Sequence, residues 1–215
     1  MIFAGGVPLK QGGIVVGAIG VSGGMGGAGP SRRRDGRGAF SGRCRSRTAP
    51  FDQNIEMQKI TPFLWFDGKA EEAAQLYTSV FPDSRIDHIS RFGEEGPGPA
   101  GSAMVVEFTL LGQGFRGLNA GPQYKFTPAV SFQVDCETQE EIDRYWNTLL
   151  EGGEAMACGW LTDRFGLCWQ ITPSILGRLL SDPDPARSGR AMKAMMDMVK
   201  LDIAALERAA NGETA

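Results

Sequence analysis

The sequence predicts an α+β protein: two βαβββ modules in tandem, then a C-terminal helix, behind a glycine- and arginine-rich leader. Two observations carry the modules. The same order of elements starts at Ile60 and again at Pro128, about 68 residues later. In each copy, β-branched and aromatic runs closed by turn residues flank one stretch of helical period. A third observation, composition, marks off the leader. Of the 30 glycines in 215 residues, about twice the usual share, fourteen fall within residues 1–56.

The leader also holds eight Lys and Arg against three acidic residues, so a chain of net charge −3 contains a body, residues 57–215, of charge −8. Ile14–Val21 reads as a strand among glycines, and residues 30–56 are patternless. The leader offers too little apolar surface to offset chain entropy and is expected to be disordered. It reads as a fusion remnant or an over-extended start, with Met57 as the working start. Its segment GGVPLKQGGIVVGAIGVSGG resembles, over fewer than thirty residues, a glycine-rich strand segment of the GlcG/HbpS-type haem-degrading family.

In the first module (58–122), ITPFLWF (60–66) is a strand ended by Asp67-Gly68. Residues 69–81 place Ala70, Ala73, Ala74, Tyr77 and Val80–Phe81 on one face, an amphipathic helix stopped by Pro82-Asp83. RIDHISRF (85–92) alternates as a strand, SAMVVEFTLLG (102–112) is a longer one, and FRGLNAG (115–121) follows a turn placed at Gln113-Gly114.

The second module (126–173) repeats this order. PAVSFQVDC (128–136) is a strand, and 137–153 a helix with Ile142, Tyr145, Trp146 and Leu149 inward, an acidic first turn and Gly152-Gly153 at its C-terminus. EAMACGWLTD (154–163) and LCWQITP (167–173) form a hairpin about Arg164–Gly166. Ser174–Leu180 makes a short helical turn. Asp182 or Asp184 caps a C-terminal helix over 185–210, on which Met192, Met196, Val199, Ile203 and Leu206 form one narrow stripe. That stripe suits either core packing against the sheet or a homodimer contact.

The acidic body argues against a nucleic-acid partner. No apolar run reaches the length of a membrane span. Cys44, Cys136, Cys158 and Cys168 make no CxxC pair, and His88 is the only histidine, so a Cys/His zinc site is not expected. Few cysteines suggest reduced thiols and a cytoplasmic location, and Cys158 and Cys168 sit at unequal offsets from their turn, which argues against a disulfide between them. His88 reads as a partly exposed strand residue and Glu107 as solvent-facing. No Ser/His/Asp set, phosphate loop or nucleophile elbow is present.

ITPFLWFDGKAEEAAQLYTSVFPDSRI, GLNAGP, FTPAVSFQVDCETQEEIDRYWNTLLEGGE and CGWLTDRFGLCWQITP together resemble the PhnB-like family, often labelled 3-demethylubiquinone-9 3-methyltransferase. That family lies in the vicinal oxygen chelate (glyoxalase/bleomycin-resistance/dioxygenase) superfamily. The resemblance spans about residues 58–210. It implies two βαβββ modules curled around a pocket, usually as a homodimer, and in the superfamily's enzymes a divalent metal held by the first and last strands of each module. Those positions fall near Pro62, near Ala129, near Leu118 or Asn119, and on Gln170. At best two neutral amides remain, so no metal is expected. The methyltransferase label implies S-adenosylmethionine, but no glycine-rich strand-to-helix turn accompanies it.

Without a metal, inward-facing Phe63, Trp65, Asn119, Ser131, Trp160 and Gln170 are the candidate ligand-binding residues: aromatics for stacking, amides for orientation. No catalytic residue is assigned and no cofactor expected. The reading is a metal-independent small-molecule-binding protein, as a homodimer, with no nucleic acid or membrane partner. The alternatives are a metal-dependent lyase, isomerase or dioxygenase of the same superfamily, and a homodimeric interaction protein with a filled pocket.

Overall fold

The computed structural model describes residues 6–11, 14–20 and 59–213, and the chain divides into two units, Met1–Gln53 and Asn54–Ala215. In the first unit, β1 (Gly6–Gln11) and β2 (Ile14–Gly20) pair antiparallel, with a register shift between Leu9 and Lys10. The strand expected from Ile14 is therefore present. Disorder is expected of the leader as a whole, residues 1–56; apart from these two strands the leader, its arginine-rich stretch included, lies outside the described residues.

In the second unit, β3 (Phe63–Phe66), α1 (Ala70–Val80), β4 (Arg85–Arg91), β5 (Ala103–Leu110) and β6 (Gln113–Asn119) form the first module. The second consists of β7 (Phe132–Cys136), α2 (Gln139–Leu150), β8 (Glu154–Ala155), β9 (Trp160–Thr162) and β10 (Cys168–Pro173). The sheets run β3-β6-β5-β4 and β7-β10-β9-β8. In each, the first strand lies parallel to the last and the remaining pairs are antiparallel. The doubled βαβββ order is thus a doubled topology.

The helix faces are the expected ones. Ala70, Ala73, Ala74, Tyr77 and Val80 of α1 are buried, as are Ile142, Tyr145, Trp146 and Leu149 of α2. Three alanines on one face let α1 approach its sheet closely, and β6 answers with Gly117. A Cβ there would lie 3.1 Å from Ala70 Cβ and 3.3 Å from the Phe66 ring. The inner faces of both sheets share one core. A run of rings joins them: Phe108 on Phe115 (5.4 Å), Phe115 to Phe132 (5.1 Å), Phe132 to Trp169 (5.8 Å) and Trp169 to Tyr77 (5.2 Å). The outer sheet faces consequently point away from this core.

The structure corrects four sequence expectations. The β5–β6 turn is Leu111–Gly112, not Gln113-Gly114. Both residues have positive φ (48° and 83°), as a two-residue hairpin twisting with its strands requires, and β6 begins at Gln113. The first strand of the second module begins at Phe132 rather than Pro128. The helix expected over 185–210 is two, α4 (Pro185–Met196) and α5 (Ile203–Asn211), preceded by the short α3 (Leu176–Leu180). The break has a cause: the Met198 and Val199 carbonyls accept from Cys158 N–H (2.8 Å) and Gly159 N–H (2.7 Å), so they are drawn out of a helical ladder. Asp184 and Asp202 then cap α4 and α5. Finally, core packing does not hold for Met192, Met196 and Val199, which are exposed (45%, 60% and 52%), whereas Leu206 is buried in a second cluster with Leu176, Leu179, Ala191 and Leu201.

This tail is tied to α2 by one amide. Gln139 Nε2 donates to Leu201 O (3.2 Å) and its Oε1 accepts from Ile203 N–H (2.9 Å). Lys200 Nζ adds a bond to Asp143 (2.6 Å), which holds that carboxyl below the ordinary carboxylate range.

Candidate functional site

Two interactions set the geometry at one end of the module boundary. The first concerns the N-terminus of α1. Its N-cap, Lys69, offers no side-chain acceptor. Asn119 at the end of β6 takes that role: its Oδ1 accepts from Ala70 N–H (2.8 Å) and its Nδ2 donates to Ala103 O (2.9 Å). The β3–α1 corner, Asp67–Lys69, is thereby fixed to the sheet. The second is Asp163, 3% exposed and the one buried charged side chain among the described residues. It accepts from Tyr77 Oη (2.7 Å), Trp169 Nε1 (2.9 Å), Phe165 N–H (2.8 Å) and Leu167 N–H (3.0 Å). Burial raises its pKa and the four donors work against that rise. Burial and the neighbouring carboxylate push the Tyr77 hydroxyl well up.

Between these two anchors lies a cavity of about 600 Å³. Its walls are the β3–α1 corner (Trp65, Asp67, Lys69, with Glu72), the linker (Tyr124, Lys125, Phe126) and the β9–β10 turn (Arg164, Phe165). Trp65 Nε1 donates to Gly121 O (2.8 Å), and the Tyr124 ring meets the indole edge-on at 4.9 Å. A second, more apolar cavity of about 350 Å³ lies where Leu110 and Leu111 face Phe132 and Trp169.

The sequence-derived candidates divide into four places. Trp65 lines the larger cavity. Phe63, 54% exposed, stands on the outer face of the first sheet, opposite Arg116 in register. Ser131, Trp160 and Gln170 come together on the outer side of the second sheet. There, Gln170 pairs with Trp160 in register and donates through Nε2 to Ser131 Oγ (2.8 Å). Asn119 has both ends of its amide engaged in the clasp just described. His88 is exposed opposite Glu107, which is ion-paired to Arg116 at 3.3 Å. Tyr124, Lys125, Arg164, Phe165 and Asp163 are not among the sequence-derived candidates, although Arg164–Gly166 is the turn expected of the hairpin. The signal present there was the Asp-Arg-Phe-Gly order, in which an aspartate three residues before a glycine folds its own backbone into a turn.

The metal implied by the resemblance can be tested on donor chemistry. Outward positions on the first and last strands pair Phe63 with Arg116, Trp65 with Leu118, Gln133 with Gln170 and Asp135 with Thr172. Asp135 is the one carboxylate in this set and accepts from Gln133 Nε2 (2.7 Å). Rings, an aliphatic chain, a hydroxyl, a guanidinium and two neutral amides add no second anionic or imidazole donor, so the set does not fit a divalent ion. Among the described residues no group of three His, Cys, Asp or Glu side chains could hold one. Nor does the β3–α1 corner fit a dinucleotide-style cradle for S-adenosylmethionine: it holds one glycine, and Asn119 occupies the first helical N–H.

Residues 58–172 match the family described as 3-demethylubiquinone-9 3-methyltransferase. Among solved structures, the PhnB protein from Bacillus cereus is 43% identical. The match covers 54% of this chain and all of that one, with a TM-score of 0.52. Protein PA1353 from Pseudomonas aeruginosa is 23% identical over 54% of this chain and 97% of its own (TM-score 0.47). The genomically encoded fosfomycin resistance protein FosX from Listeria monocytogenes is 14% identical over 58% and 98% (TM-score 0.43). No curated protein matches the chain. With the family match spanning more than half of its length and both modules, this chain belongs to the PhnB-like 3-demethylubiquinone-9 3-methyltransferase family.

Proposed function

We propose that the protein is a PhnB-like member of the vicinal oxygen chelate superfamily that binds a small molecule in the larger cavity, without a metal ion. The observation that carries this reading is the cavity itself. Its volume of about 600 Å³ falls in the range used by small-molecule sites, and both modules and their linker contribute rings to it. An open space of that size also counts against an interaction protein with a filled pocket. The donor set on the first and last strands counts against the metal-dependent alternative. Free Cys136, Cys158 and Cys168 accord with a reducing, cytoplasmic setting. Among the described residues no helix is long and apolar enough to cross a membrane.

A homodimer forms part of the proposal. β3 and β7 are edge strands, each paired on one side only. Phe63 and Val130, at or beside those edges, are exposed. A second copy laid on the outer sheet faces would cover Phe63 and enclose the Ser131–Gln170–Trp160 group.

The test combines light scattering, metal analysis and calorimetric screening of aromatic small molecules on the purified full chain. A metal-free dimer that binds members of the screen, with binding lost in Trp65→Ala, is the expected result. A stoichiometric, tightly held divalent ion overturns the metal-free reading, and a monomer overturns the dimer.

A further inference from the structure

The charges around the cavity are unevenly paired, and that unevenness defines a ligand class. Three cations reach it: Lys69, Lys125 and Arg164. Lys69 is bound to Glu72 at 2.8 Å, so those two largely cancel. Neither Lys125 on the linker nor Arg164 on the β9–β10 turn has an ion-pair partner among the described residues. Arg164 instead hangs its guanidinium 5.9 Å from the centre of the Phe165 ring. Against these two cations stands one unpaired acid, Asp67. The balance is a single positive charge, enough to favour a monoanion and too little to hold a polyphosphate.

The rings define the rest. The polar atom of Trp65 is already used on Gly121 O, so the indole offers its π surface and apolar edge. Tyr124 stands nearly perpendicular to it, at 85°. Two rings at right angles form a corner for a flat molecule to stack on one and abut the other. Building on the small-molecule reading above, we propose that the cavity takes a flat aromatic or conjugated molecule bearing one anionic group, its ring against Trp65 and Tyr124 and its charge between Lys125 and Arg164. Lys125 is exposed, so the linker places a mobile-stemmed cation at the mouth, whereas Arg164 is held from below by the Asp163 turn.

Calorimetric titration of the full chain with 2-naphthoate, 2-naphthalenesulfonate and neutral 2-naphthylmethanol tests this. At low salt the two anions are expected to bind about tenfold more tightly than the alcohol. Lys125→Ala and Arg164→Ala should each erase most of that preference while leaving the alcohol's affinity unchanged. Trp65→Ala should weaken all three. Equal binding of alcohol and anions overturns the charge assignment and leaves the small-molecule reading standing. An anion preference that survives Lys125→Ala and Arg164→Ala together places the charge site elsewhere and likewise overturns it. Failure of all three probes overturns the proposal that this cavity receives flat aromatics.

Discussion

The phenol of Tyr77 on α1 donates a 2.7 Å hydrogen bond to the carboxylate of Asp163 on the β9–β10 turn, and the two residues belong to different modules. Eighty-six residues separate them in sequence, yet the bond is buried and holds the turn that carries Arg164 and Phe165 to the cavity. Tyr77→Phe keeps the ring and removes one of four donors from a buried carboxylate. A loss of about 1–3 kcal/mol in urea unfolding is expected, and no change in stability would mean that the bond contributes nothing across the boundary.

Asp163 also gives stability a pH dependence of definite sign. Its folded pKa is raised above the ordinary 3.8, so between 3.8 and the raised value the native state holds a proton that the unfolded chain has released. Its contribution is full below 3.8 and is lost as the pH rises through the folded pKa. Asp143 and Asp182, both lowered, act in the opposite sense. The informative measurement is therefore a difference: stability of the parent minus that of Asp163→Asn should decline as pH rises from about 4. A difference that grows with pH would contradict the assignment.

Gly117→Ala places a methyl against Ala70 Cβ and the Phe66 ring, at 3.1 and 3.3 Å. Because one neighbour is a helix methyl and the other a packed ring, we expect about 1–3 kcal/mol of destabilisation from overpacking. A stabilised variant would show that α1 has room to move outward.

Gln139→Ala should release the tail without unfolding the modules. Both ends of the Gln139 amide hold backbone groups of the Leu201–Ile203 segment. Faster amide exchange confined to α4 and α5 is the expected signature. Exchange rising equally in β9 and β10 would show instead that the tail and second module open as one unit.

Met192→Gln with Met196→Gln should change monomer stability by less than about 0.5 kcal/mol, because both side chains are exposed in the monomer. A large loss, measured below the concentration at which copies associate, would restore the core role that the structure denies them.

Element order and helix faces were legible because each is a local pattern. The alanine and tyrosine spacing of α1 dictates which side is buried whatever lies opposite. What escaped was set at long range or by backbone alone. Nothing in LLGQG requires the turn at Leu111 rather than two residues on, since leucine is an uncommon occupant of positive φ. The apolar stripe runs on from Met196 to Ile203 through a break held by the distant 158–159 backbone and by Gln139. At the site, Trp65 announced itself by residue type, whereas Lys125 and Arg164 look like ordinary surface cations until the linker and turn bring them to the same opening.

The two inter-module cavities are related by the repeat. In each, the hairpin of one module leans on the first strand of the other: Arg164–Gly166 beside β3, Leu110–Leu111 beside β7. One hairpin is closed by two residues and meets its neighbour through an apolar seam. The other runs through five, Asp163 to Leu167, and that longer connection makes room for a buried aspartate, an arginine and a wider opening. A tandem copy thus produces two related crevices, and unequal hairpin lengths leave one a narrower apolar seam and the other a wider, more polar opening. With the proposed site confined to the wider opening, binding at this seam should saturate at one molecule per chain.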